Sequence, residues 1–97
     1  MDKDKLQKLI ETNKFVLLDF YATWCMPCKM QSEIVEELKE KNIEGLNITK
    51  IDVDENEDFV NTYKIVSVPT LILYKYGEIV KRYVGVAKEK DILDWMK

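Results

Sequence analysis

The stretch KFVLLDFYATWCMPCK, Lys14 to Lys29, decides the fold. Its first half, KFVLLDF, is a nearly unbroken apolar run. Such a run suits a strand buried on both faces, as in a sheet covered by helices. Its second half holds the chain's 2 cysteines, Cys25 and Cys28. From Cys25 to about Asn42 the apolar residues Met30, Ile34, Val35 and Leu38 recur at helical spacing, with Glu36, Glu37, Lys39, Glu40 and Lys41 on the wet side. A buried strand therefore feeds a helix, and the thiols stand at the junction.

Working outward, Asp2 caps a first helix with Leu6, Leu9 and Ile10 on its inner face, and Asn13 ends it. Gly45 turns the chain into a strand over Ile48 to Val53. Acidic residues open a helix over Asp54 to Ile65, because negative charge suits a helix N-terminus. Its apolar face is Phe59, Val60 and Tyr63. A third strand spans Thr70 to Tyr76, Gly77 makes a tight turn, and a fourth strand spans Ile79 to Val84. The last helix, Lys88 to Lys97, buries Ile92, Trp95 and Met96. The order αβαβαββα predicts parallel strands joined by right-handed crossovers, closed by one antiparallel hairpin strand. The expected architecture is a three-layer α/β/α sandwich in a single domain, residues 1–97.

The bulk numbers narrow the chemistry. A chain of 97 residues with 46% hydrophobic and 34% charged content can build one modest core. The net charge of −3 is interspersed, leaving no basic stripe for phosphates, so nucleic acid is not expected as a partner. No apolar run approaches the roughly 18 residues of a membrane helix. The N-terminal MDKDKLQKLI lacks the apolar stretch of a signal peptide, so a cytoplasmic location is expected. With 0 histidines there is no Cys–His or Ser–His–Asp nucleophile. Two cysteines cannot close a four-thiolate zinc site within one chain, so no metal is expected.

What remains is sulfur chemistry. In a first helical turn, residues i and i+3 have β-carbons about 5–6 Å apart, close to disulfide range. Near the helix N-terminus, unpaired N–H groups and the macrodipole favour a thiolate at Cys25. Cys28, inside the turn, is expected to be better sheltered. Pro27 costs little there, because first-turn N–H groups have no intrahelical partner. So short a loop gains little entropic stabilisation from a disulfide. The spacing therefore predicts a reversible, catalytic bond and not a staple.

Other candidates keep two readings on pattern alone. Asp19 is either a solvated strand end or a buried carboxyl with a raised pKa that exchanges a proton with a thiol. Lys50 is either a surface lysine or its counter-charge. Pro69 in SVPT is either a plain strand-start proline or a cis residue shaping a loop. Trp24 is either core or a contact beside the nucleophile. Met26 either fills space or offers a soft apolar contact to a partner.

The segment DFYATWCMPCK, with KIDVDEN, YKIVSVPTLILYKYGE and YVGV further on, resembles the thioredoxin family from Phe15 onward. The resemblance implies a dithiol–disulfide oxidoreductase that reduces client proteins, with no cofactor beyond its cysteines. It implies Cys25 as the attacking cysteine, Cys28 as the resolving one, and Asp19 as the buried aspartate with Lys50 as its lysine neighbour. It implies a cis Pro69, backbone hydrogen bonds from Val68 to substrate, and a client surface including Trp24, Met26, Pro27, Gly85 and Val86. A separate thioredoxin reductase must restore the dithiol, since the chain has no glycine-rich dinucleotide loop. A monomer is expected. The alternatives are the same fold run as an oxidant or isomerase, a docking module with incidental thiols, and a soft-metal carrier.

Three departures from the family pattern stand out. Met26 replaces the usual glycine, which bears on redox potential and partner choice. Glu33 replaces a helix-kinking proline, predicting a straighter helix. The usual strand before the first helix is missing, predicting a four-stranded mixed sheet whose Ile48–Val53 strand is an edge.

Overall fold

The structure, a computed structural model, describes residues 1–97. Helix α1 (Lys3–Thr12) is capped by the Asp2 carboxylate, which accepts from the Lys5 N–H at 2.7 Å. Asn13 ends it, returning its own N–H to the Leu9 carbonyl. Strand β1 (Phe15–Tyr21) follows, buried from Phe15 through Phe20. Then come α2 (Met26–Glu40), β2 (Leu46–Asp52), α3 (Glu57–Tyr63), β3 (Thr70–Lys75), β4 (Glu78–Val84) and α4 (Glu89–Trp95). The element order is the expected one. Helix α3 starts later than Asp54, because the intervening residues form a turn around Asp52. The Asp52 carboxylate accepts from the Asp54 N–H, and Asn56 Nδ2 donates to the Asp52 carbonyl, each at 2.9 Å.

The sheet order is β2-β1-β3-β4. Strands β1 and β2 are parallel, with Asp19 beside Lys50. Strand β3, expected parallel, instead runs antiparallel to β1, pairing Thr70 with Phe20 and Lys75 with Phe15. Apolar and alternating strand patterns look the same in either direction, so the element order alone does not fix how β3 runs. The chain re-enters the sheet at the end where β1 and β2 leave it, with Thr70 beside Phe20. Strand β4 pairs antiparallel with β3, so β2 and β4 are the two edges.

Two apolar layers sandwich the sheet. On one face, Leu6 and Ile10 of α1 and Phe59 of α3 pack on Val16, Leu18, Phe20, Ile51 and Ile72. On the other, Val35 and Leu38 of α2 and Ile92 of α4 pack on Phe15, Leu17, Leu71 and Leu73. This is the three-layer α/β/α sandwich. The inner face of α2 differs from the sequence reading at one point. Met30 is exposed, and its neighbour Gln31 is fully buried in its stead. In α4, Trp95 and Met96 are half-buried, and only Ile92 is enclosed.

The β3–β4 connection is a two-residue hairpin, Tyr76–Gly77, with φ of 50° and 82°. Positive φ at both positions is the mark of a type I′ turn, whose twist matches the flanking strands. A Cβ added at Gly77 would touch nothing within 4 Å, so any penalty for a side chain there is purely conformational. Gly77→Ala is expected to lower unfolding stability by about 1 kcal/mol. Urea denaturation should register that loss, while disulfide exchange at the far end of β3 stays at the wild-type rate.

Candidate active site

Strand β1 delivers the chain to the sheet's upper end, and a turn closed by the Cys25 N–H on the Ala22 carbonyl (3.2 Å) starts α2. Cys25 is the N-cap of that helix, with extended backbone angles of −96° and 115°. Its sulfur accepts the Cys28 backbone N–H at 3.2 Å. That N–H is one of the orphan donors of a helix start, and here a sulfur satisfies it. Cys25 and Cys28 are joined in a disulfide, with Cα atoms 5.2 Å apart. Pro27 occupies the first turn without forfeiting a bond.

The contrast between the two cysteines is smaller in area than expected. Cys25 is 5% exposed and Cys28 2%. What separates them is their surroundings. Cys25 lies between Trp24 and Met26, which are 72% and 66% exposed, and its sulfur is 3.8 Å from the Val68 carbonyl oxygen. Cys28 faces inward from the helix.

The structure places each of these residues. Trp24 is not core: its indole N–H donates to Asp54 Oδ2 at 2.9 Å on the surface. Met26 projects outward. The Val68–Pro69 bond is cis, and Pro69 is buried. The reversal of β3 brings this loop to the cysteines, since Thr70 pairs with Phe20 at the end of β1.

Asp19 is fully buried, and neither carboxyl oxygen has a hydrogen-bond partner. Burial raises its pKa from 3.8 to about 6, and the positive charge of Lys50 pulls partly the other way. Lys50 is itself exposed. Its ammonium donates to Ser32 Oγ on α2 and lies 5.1 Å from the centre of the Tyr21 ring. It is thus a surface lysine and a counter-charge at once.

Gly85 and Val86 follow β4. The Gly85 φ of +111° needs glycine, a conformational reason beyond the room it leaves for an approaching backbone. The Gly85 N–H donates to the Pro69 carbonyl at 2.9 Å, which joins this segment to the cis-proline loop. A groove of about 450 Å³, lined by Trp24, Val53, Val60, Ile65, Val66 and Val68, opens next to Cys25. Sequence pattern did not single out Gln31, Ser32, Asp54 or Val66. A polar residue one turn beyond Cys28 on the inner helical face was the only available signal for Gln31. Val66, 92% exposed in a loop, gives none.

No three His, Cys, Asp or Glu side chains are grouped to hold a metal ion. No helix is long and apolar enough to cross a membrane. A disulfide at a helix N-cap, with the Val68 carbonyl beside its outer sulfur and a buried carboxyl on the strand that leads into it, defines a dithiol–disulfide oxidoreductase.

Comparison with known proteins agrees. The family model described as Thioredoxin matches residues 1–97. A thioredoxin of Mycobacterium tuberculosis is 47% identical over 85 residues, spanning 88% of this chain and 72% of that protein. A bifunctional thioredoxin reductase/thioredoxin of Mycobacterium leprae is 45% identical over 85 residues, 88% of this chain but 18% of that protein. The solved structure of a mutant thioredoxin from Halobacterium salinarum superposes with a TM-score of 0.89 at 38% identity, covering 99% of this chain and 83% of that one. The chain belongs to the thioredoxin family, and its activity is the reduction of protein disulfides.

The raised Asp19 pKa has a signed consequence. The unfolded carboxyl gives up its proton near pH 4, the folded one near pH 6. Between these values the native state holds more protons, so stability falls as pH rises through the window. The full penalty, about 3 kcal/mol, then persists above it. Asp19→Asn is expected to remove this slope. Urea unfolding of both proteins from pH 4 to pH 8 checks it: the gap should shift in the variant's favour with rising pH and level off above about pH 7.

Proposed function

We propose that this chain is a cytoplasmic, monomeric reductant of client proteins, recharged by a separate thioredoxin reductase and needing no cofactor beyond its own sulfurs. The observation that carries the reading is the Cys25 sulfur capping α2 through the Cys28 N–H. The same N–H and the helix dipole stabilise negative charge on that sulfur once the disulfide is reduced. The Mycobacterium leprae relative, whose name joins a reductase to a thioredoxin, supports the choice of recharging partner.

In the reduced chain, the Cys25 thiolate attacks one sulfur of a client disulfide. A mixed disulfide forms, and the other client sulfur leaves as a thiolate. Ionised Asp19 takes the Cys28 proton, its pKa near 6 keeping it charged yet basic at neutral pH. Lys50 holds that charge available. The Cys28 thiolate then attacks Cys25, and the second client sulfur departs. The client gains two electrons, and the chain ends with the Cys25–Cys28 disulfide. Meanwhile the Val68 backbone aligns the client strand. Trp24, Met26, Pro27, Gly85 and Val86 form the surface it rests on, with Pro69 shaping the loop beneath.

Turnover of insulin disulfides with dithiothreitol tests the scheme. Wild type is expected to accelerate the reaction, and Cys25→Ser to return it to the rate of dithiothreitol alone. Cys28→Ser should accumulate a mixed disulfide through Cys25, visible as a mass increase that a reductant removes. Retained turnover in Cys25→Ser would sink the reading.

A further inference from the structure

Gln31 is 0% exposed, a polar side chain on the inner face of α2 one turn beyond Cys28. Both ends of its carboxamide bond to one residue of a distant segment. Gln31 Nε2 donates to the Ala87 carbonyl at 3.1 Å, and the Ala87 N–H donates to Gln31 Oε1 at 2.7 Å. Ala87 is 1% exposed, so neither of its backbone groups has water as an alternative partner. Two residues earlier, the Gly85 N–H holds the Pro69 carbonyl, and Val68 lies against the Cys25 sulfur. These links close a ring that runs from Cys28 along α2 to Gln31, across to Ala87, back to Gly85, on to Pro69 and Val68, and returns to Cys25.

We propose that Gln31 is a positioning residue for client recognition: its buried carboxamide sets the distance between the Gly85–Ala87 segment and the cysteine helix, and so holds the client-facing rim in register with Cys25. The inference rests on the proposed reduction of client proteins. Gln31 touches no reacting atom. It acts through Ala87 on Gly85 and Val86, and through Gly85 on the Val68–Pro69 loop. Without the carboxamide, the Ala87 N–H and carbonyl lose their partners in an enclosed site, and the segment must shift to satisfy them. A protein client, which needs both sides of the rim, feels that shift. A small disulfide, which needs only the Cys25 sulfur, does not.

Gln31→Met keeps length and volume and removes both hydrogen bonds. It is compared with wild type in insulin reduction and in reduction of 5,5′-dithiobis(2-nitrobenzoate). Expected is a KM for insulin raised roughly fivefold to tenfold, with kcat and the small-disulfide rate within about twofold of wild type. Cys25 alkylation by iodoacetamide should stay unchanged. A folded variant with unaltered insulin KM, or with both substrates slowed in step, overturns the inference while leaving protein-disulfide reduction standing. Absence of insulin turnover in wild type overturns both. Should Gln31→Met not fold, Gln31→Glu, which retains the acceptor for the Ala87 N–H, goes through the same measurements: a raised insulin KM supports the inference, and an unaltered one overturns it.

Discussion

One sulfur atom does the work of a helix cap, and the site follows from that. Helix α2 must begin with donors that have no carbonyl four residues back. Serine or aspartate usually supplies the acceptor. Here Cys25 supplies it, and its sulfur stays in place because β1 and the turn closed on Ala22 fix the chain entering the helix. The cap suits both redox states. A disulfide sulfur accepts weakly from the Cys28 N–H, while a thiolate accepts strongly and also meets the positive end of the helix. Reduction thus exchanges a covalent bond for a better electrostatic one, with the backbone already in position. Pro27 strengthens this arrangement by fixing φ in a turn that has no use for its missing donor.

The second constraint works against stability. Asp19 sits mid-sheet between Lys50 and Leu71, on the face shared with Leu17 and the underside of α2. An apolar side chain there would cement the layer. A penalty of about 3 kcal/mol is a large share of the 5–15 kcal/mol by which a typical domain is stable. Such a group persists where its protonation does something that packing cannot. The charge of Lys50 limits the penalty, and Ser32 and Tyr21 hold its ammonium from the helix and strand sides. Its long stem lets one end of the lysine stay in water while its charge acts inward.

How much of this was legible follows from what pattern encodes. The buried strand, the amphipathic helix and the cysteine spacing are local, so KFVLLDF and CMPC read directly onto β1 and the start of α2. The direction of β3 is not local. Alternation looks the same in parallel and antiparallel strands, so pattern leaves it open. Inner-face membership at Met30 and Gln31 escapes pattern for a related reason. Hydrophobicity assigns the face to methionine, yet the partner across the interface is the peptide group of Ala87, which an amide satisfies and a thioether does not. The state of Pro69 and the depth of Asp19 depend on neighbours far away in sequence. There the family resemblance supplied what periodicity left open.

The reversal of β3 also explains how an apolar rim comes to stand beside the disulfide. Trp24, Met26 and Val66 stand largely in solvent. Beneath them the chain is tied polar group to polar group. The Trp24 indole holds Asp54, Thr70 Oγ1 donates to the Ser67 carbonyl at 2.6 Å, and Gly85 holds Pro69. Arg82 adds a further tie from β4, donating to the Tyr63 and Lys64 carbonyls at 2.7 and 2.8 Å where α3 ends. Had β3 run parallel to β1, its first residues would lie at the opposite end of the sheet, about 20 Å from Cys25. None of these ties would then frame the disulfide. Strand direction is what brings the Val68–Pro69 loop against the sulfur pair.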